Sequence, residues 1–173
     1  MGDHSRPRHL VVMGVSGCGK SLVAERLAVR FGLALAEGDA HHPKENVDKM
    51  AAGQPLTDED RAPWLEALVA WTRERDAEGT STVLSCSALK RAYRDILRDA
   101  DPATFFVHLH ADFDVLAERM RGRAHFMPIS LLESQFDTLE PLADDELGAQ
   151  VDVTPPVDTV MAVVEAAVRR HLR

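Results

Sequence analysis

Eight residues constrain this chain more than any others. Gly14-Val15-Ser16-Gly17-Cys18-Gly19-Lys20-Ser21 satisfies the pattern G-x-x-x-x-G-K-[ST] at every fixed position. Before it, Leu10-Val11-Val12-Met13 reads as a short buried strand of a parallel sheet. After it, residues 21–31 carry apolar side chains at helical spacing, and Gly32 ends the run. Strand, glycine loop and helix together place backbone N–H groups around an anion at a helix N-terminus. In such a loop Lys20 can reach the β- and γ-phosphates, and the Ser21 hydroxyl can ligate Mg²⁺. Gly14 to Ser21 is therefore expected to hold a nucleoside triphosphate. The loop does not say where the phosphoryl group goes.

The rest of the chain repeats the same alternation. Short apolar runs at 33–37, 82–86, 104–109 and 150–153 read as strands. Amphipathic runs at 43–52, 88–98, 115–121, 130–139 and 157–172 read as helices. A longer helix, opened by Thr57-Asp58-Glu59-Asp60 in the manner of a capping box, runs to about Glu78. Asp112 is placed to cap the helix from 115. Alternating strands and helices predict a five-stranded parallel sheet covered on both faces. Ligands of such sheets sit beyond the carboxyl ends of the strands, so the loop, Asp39, Ser87 and residues 110–112 should gather at one edge.

The length of 173 residues suits a single domain, and no apolar run approaches a membrane span. The first nine residues have no signal-peptide core, so a cytoplasmic protein is expected. A formal net charge of −8 argues against a nucleic-acid or anionic membrane partner. Cys18 and Cys86 give no disulfide framework and read as small residues in a reducing compartment.

Phosphoryl transfer needs charge neutralisation and an oriented nucleophile. The strand at 82–86 carries no Asp, whereas the strand at 33–37 runs into Gly38-Asp39. Asp39 is thus the candidate for orienting an acceptor hydroxyl and for holding Mg²⁺ through water. His41-His42 lacks partners at zinc-ligand spacing, so one histidine donating to a substrate hydroxyl fits better. Arg61 reads equally as an anion-binding residue and as a surface partner of Asp58 or Glu59. Trp64 and Trp71 are seven residues apart on one helix face and read as core. Ser87, Lys90 and Arg94 put a hydroxyl and cations just past a strand, where Lys90 or Arg94 could meet a carboxylate, or form a solvated basic face. Arg119, Arg121 and Arg123, around Gly122, suggest a lid over the phosphates at about 121–130.

Read together, these segments resemble the gluconate kinases of the small P-loop kinase group. The resemblance covers most of the chain. It includes the phosphate loop, Gly38-Asp39 with His42-Pro43, and Gly53-Gln54-Pro55-Leu56-Thr57-Asp58-Glu59-Asp60-Arg61-Ala62-Pro63-Trp64-Leu65. It continues through Cys86-Ser87-Ala88-Leu89-Lys90, His125-Phe126-Met127-Pro128 and Leu131-Leu132-Glu133-Ser134-Gln135-Phe136. The loop is common to many NTPases; the Pro55–Leu65 and Cys86–Lys90 segments are far more specific. The resemblance implies an α/β P-loop NTPase fold of the nucleoside/shikimate-kinase type with a small lid. It implies ATP-dependent phosphorylation of D-gluconate at its 6-hydroxyl, with Mg²⁺, in enzymes that are often homodimers. On that basis Lys20, Asp39 and Arg123 are expected to be catalytic, and Arg119 to lie against adenine near Thr154-Pro155. Asp39, His42, Arg61, Ser87, Lys90, Arg94 and Gln135 are expected to bind substrate. A kinase of another small acid, such as shikimate, and a nucleotide-dependent switch without an acceptor are the competing expectations.

Overall fold

The computed structural model describes residues 6–122 and 128–173. The expected lid falls largely on 123–127, so Arg123 and residues 125–127 lie outside the described residues. Five strands, β1 (His9–Met13), β2 (Ala34–Glu37), β3 (Thr82–Ser85), β4 (Phe105–His110) and β5 (Gly148–Asp152), form one sheet. It is parallel throughout, in the order β2-β3-β1-β4-β5. β1 is central, and all five of its residues are buried, as a strand covered on both faces requires.

Seven α-helices accompany the strands among the described residues: α1 (Lys20–Phe31), α2 (Lys44–Ala51), α3 (Asp58–Ala77), α4 (Arg91–Arg98), α5 (Phe113–Arg121), α6 (Ile129–Thr138) and α7 (Val157–Leu172). Neighbouring residues of a strand point to opposite faces, and β4 shows which helices share a face. Phe105 stacks on His171 of α7, while the Arg98 guanidinium of α4 lies over Phe106. α7 and α4 therefore cover opposite sides. α1 joins α7 through Arg26–Asp158 and Arg30–Glu165, and α3 packs with α4.

Local chemistry accounts for most boundaries. Gly32 closes α1 in the left-handed conformation at φ 66°. Thr57 and Asp60 form a reciprocal capping box at the start of α3. Pro63 stands inside that helix as its sixth residue, so the Glu59 carbonyl receives no N–H from four residues on.

Several expected boundaries move. α4 begins at Arg91 rather than at 88, because Ala88 sits at φ +46° and breaks the helical path. Asp112 precedes α5, yet its side chain makes no capping bond. β5 starts two residues earlier than its apolar run, at Gly148. A side chain there would collide with the Phe106 carbonyl of β4.

Candidate active site

The phosphate loop leaves β1 at Gly14, whose φ is +143°. A Cβ there would lie 2.5 Å from the Leu109 carbonyl and 2.8 Å from Cys18 Sγ, so the turn requires glycine. Gly14 N–H donates to the Ser87 carbonyl at 3.2 Å, which ties the loop to the end of β3. Lys20 Nζ crosses the loop to donate to the Val15 carbonyl at 3.1 Å. Ser16 N–H donates to Gln135 Oε1 at 2.7 Å, so α6 is docked on the loop.

Beyond β2 the chain turns through a short 3₁₀ segment, Gly38–His41. Gly38 is buried against β3, and a Cβ on it would collide with the Ser85 carbonyl. This close approach brings Asp39 to the sheet edge beside the phosphate loop. Glu37, the last residue of β2, is a functional candidate that the sequence reading missed. Its Oε2 accepts from Ser21 Oγ at 2.9 Å, while its Oε1 is buried with no hydrogen-bond partner among the described residues. The available signal was its place at a strand end two residues before Asp39.

A cleft with ≈ 560 Å³ of empty space, including solvent at its mouth, brings the two halves of the site together. Ser16 and Lys20 line it from the loop, and Asp39, His42, Arg61, Ser87 and Gln135 line it from elsewhere. Arg61 is aimed by its own neighbours: its guanidinium donates to the Leu56 carbonyl at 2.6 Å and to the Tyr93 hydroxyl at 3.2 Å. The Tyr93 hydroxyl donates in turn to Asp58, which also pairs with Lys90 at 3.1 Å. Hydrogen bonds from Tyr93 and Lys90 hold the Asp58 carboxyl below the usual carboxylate range. Trp64 is core as expected, at 1% exposure, but its ring also faces the cleft and stacks on His42 with centroids 4.1 Å apart.

Two expected substrate residues lie elsewhere. Arg94 is fully buried, and its guanidinium forms a fork with Glu146 at 2.8 and 2.9 Å. It also donates to the Ala88 carbonyl at 2.9 Å and the Glu140 carbonyl at 3.1 Å. With its donors used in this way it braces the turn after β3 and has no path to a substrate carboxylate. Lys90 is engaged by Asp58 outside the cleft lining. Both positions follow from partners distant in sequence: Glu146 draws the Arg94 guanidinium inward from α4, and Asp58 at the start of α3 engages Lys90. Arg121 stands at the end of α5 and pairs with Glu118 at 3.0 Å.

A second cleft, with ≈ 880 Å³ of empty space, opens on the other side of the loop. Gly17, Cys18 and Gly19 form one wall, and Arg119 with residues 153–157 forms the other. Arg119 donates to the Val153 carbonyl at 2.7 Å, which ties the two parts of that second wall together. Leu22 and Val157 expose apolar surface to it, at 40% and 43%. A planar, partly apolar group suits such a slot. Cys86 is buried, which pushes its thiol up to about 12, so it is chemically inert beside the site.

Comparison with known proteins agrees with this geometry. Residues 16–144 match the family model described as shikimate kinase. A gluconokinase of Gluconobacter oxydans is 52% identical over 157 residues, covering 90% of this chain and 88% of that protein. The thermoresistant gluconokinase of Escherichia coli is 44% identical, covering 88% of each. The crystal structure of a gluconokinase from Sinorhizobium meliloti superposes with a TM-score of 0.86 at 48% identity, over 95% of this chain and 93% of that one.

Proposed function

This chain belongs to the shikimate kinase family and, within it, to the gluconokinases, and on that premise we propose that it transfers the γ-phosphoryl group of ATP to the 6-hydroxyl of D-gluconate. The products are 6-phospho-D-gluconate and ADP. The observation that carries the reading is the shared cleft: Ser16 and Lys20 of the donor loop face Asp39, His42 and Arg61 across one cavity. Gluconate is a small polyol carboxylate. Its recognition calls for hydroxyl partners and one well-aimed cation, and Arg61 is the cation that the Leu56 carbonyl and Tyr93 point into this cleft.

In the proposed reaction the 6-oxygen forms a bond to the γ-phosphorus while the bond from that phosphorus to the β,γ-bridging oxygen breaks. The 6-hydroxyl proton passes to the Asp39 carboxylate and from there to solvent. Lys20 moves from the Val15 carbonyl to the β- and γ-phosphates as they bind. Adenine fills the cleft between the loop and Arg119.

Ser21 and Glu37 are the pair suited to hold Mg²⁺, with Asp39 reaching it through water. Both offer hard oxygen donors at the loop, and the unpartnered Glu37 Oε1 is the kind of atom a hydrated cation satisfies. The ion supplies charge neutralisation at the phosphates. Arg121 and Arg123 are proposed to add positive charge over the phosphates. We place the reaction in the cytoplasm, where ATP coexists with free thiols such as Cys18 and Cys86.

A coupled ADP-release assay across a panel of sugar acids, with shikimate included, tests the reading. Turnover confined to gluconate supports it. Turnover with shikimate alone, or nucleotide binding with no turnover on any acceptor, overturns it.

A further inference from the structure

We propose that Asn46 fixes His42 as its neutral Nε2–H tautomer, so that the ring meets the acceptor as a hydrogen-bond donor and not as a base; the role toward the acceptor rests on the gluconate reading above. Asn46 lies on α2, one turn beyond His42, and is 3% exposed. Its Nδ2 lies 2.8 Å from the Asp60 backbone carbonyl and 3.2 Å from His42 Nδ1. A carbonyl oxygen only accepts, so the atom facing it must be the amide nitrogen. The reversed amide would set oxygen against oxygen at that distance. The Asp60 carbonyl cannot move away, because Asp60 is held by the Thr57 capping box and by Lys49 at 2.6 Å. The second Nδ2 hydrogen then points at His42 Nδ1, which must be the unprotonated acceptor.

Trp64 completes the clamp. It stacks on the imidazole at an interplanar angle of 17° and is itself anchored by donation from Nε1 to the Gly38 carbonyl at 2.7 Å. The ring is thus held in plane by Trp64 and in rotation by Asn46, and Nε2–H, which bonds to none of the described residues, is the donor of a side chain that lines the acceptor cleft. The adjacent histidine is set the other way. His41 Nδ1 lies 3.0 Å from the Glu37 carbonyl, so that nitrogen must carry a hydrogen. Neighbouring histidines with opposite protonation at Nδ1 provide an internal contrast. Asn46 is a positioning residue in this arrangement, two steps from the reacting atoms.

The test is nitrogen NMR of the intact protein labelled at histidine, first without any substrate. For His42 the expected spectrum has an unprotonated Nδ1 and a protonated Nε2, with a protonated Nδ1 for His41. Asn46→Ala is expected to shift His42 to an averaged mixture of tautomers. The same variant should raise KM for gluconate roughly tenfold while kcat and KM for ATP stay within about twofold, the size expected when one orienting hydrogen bond is lost. A protonated Nδ1 on His42 in the unsubstituted protein, which needs no variant to fold, overturns the proposal. So does a His42 tautomer unchanged by Asn46→Ala. Titration with gluconate separates this from the functional reading: a shifted Nε2 resonance supports both, whereas the expected tautomer with no response to gluconate overturns the gluconate assignment and leaves the tautomer standing.

Discussion

In the proposed reaction Asp39 is the base and Arg61 the anchor for the acceptor, and each role makes its own prediction. Asp39→Asn keeps the shape of the 3₁₀ turn and removes the proton acceptor. Turnover should fall by roughly 10²–10⁴-fold, while ATP affinity measured by calorimetry stays near that of the parent. Near-normal turnover would remove Asp39 from the base role. Arg61→Lys keeps the charge but cannot donate to the Leu56 carbonyl and the Tyr93 hydroxyl while still presenting a fork to a carboxylate. Steady-state kinetics should show KM for gluconate raised about tenfold or more, with KM for ATP little changed. At this scale the sequence was informative where a side chain follows directly from a strand end, as Asp39 does. It was misleading for Arg94, whose partner Glu146 lies 52 positions away. No local pattern announces a pairing at that distance.

The turn after β3 and the start of α3 show how elements place those residues. Ala88, fully buried at φ +46°, is held in a conformation that an alanine adopts only under constraint. The constraint is the Arg94 guanidinium bound to its carbonyl, with Glu146 behind it. Arg94→Lys is therefore expected to act first on stability. Lysine keeps a charge beside Glu146, which Arg98 also pairs at 2.7 Å, but it loses the fork and the bonds to the Ala88 and Glu140 carbonyls, at a cost of about 1–3 kcal/mol in denaturant unfolding. If only the KM for gluconate changed and stability did not, Arg94 would belong to the substrate site after all. At α3, Thr57→Ala removes one half of the capping box and should cost about 1 kcal/mol. Because Asp60 also holds Asn46 and Lys49, that variant should disturb the acceptor cleft as well as the helix. The capping box could be read from residues 57–60. The distorted turn could not, because Ala88 carries no mark of the conformation its surroundings impose.

Taken whole, the molecule should be sensitive to acid, and the sign follows from its buried groups. His108 on β4 is 2% exposed, and neither ring nitrogen has a hydrogen-bond partner among the described residues. Burial, then the neighbouring His110 and Arg94, lower it from 6.5 to about 4. Below pH 6.5 the unfolded chain takes up a proton that the folded chain refuses, so stability falls between about 6.5 and 4, by roughly 3 kcal/mol at most. His42 and His171, also lowered chiefly by burial, act in the same direction. Glu146 adds a second limb. Burial alone would raise it, but the bonds from Arg94, Ala143 N–H and Arg98 prevail and hold it at about 2. Its contribution is present above pH 4.5 and is lost as pH falls from there toward 2. Melting temperature against pH should be flat above about pH 7 and fall in two stages below it, the first limb being shallower in His108→Leu. An unchanged first limb in that variant would exclude His108 as its source.

The sequence by itself determined the alternation of strands and helices, the phosphate loop, the cap of α3 and the place of Asp39. All of these are written in neighbouring residues, where hydrophobic period, glycine and capping chemistry act over a turn or two. Only the tertiary structure decided that Arg94 braces a turn, that Glu37 joins Ser21, and that Asn46, Trp64 and Asp60 close around His42. Those roles depend on which strand ends stand side by side in the order β2-β3-β1-β4-β5. Strand order is a matter of long-range packing, and burial decides which polar groups must find a partner there.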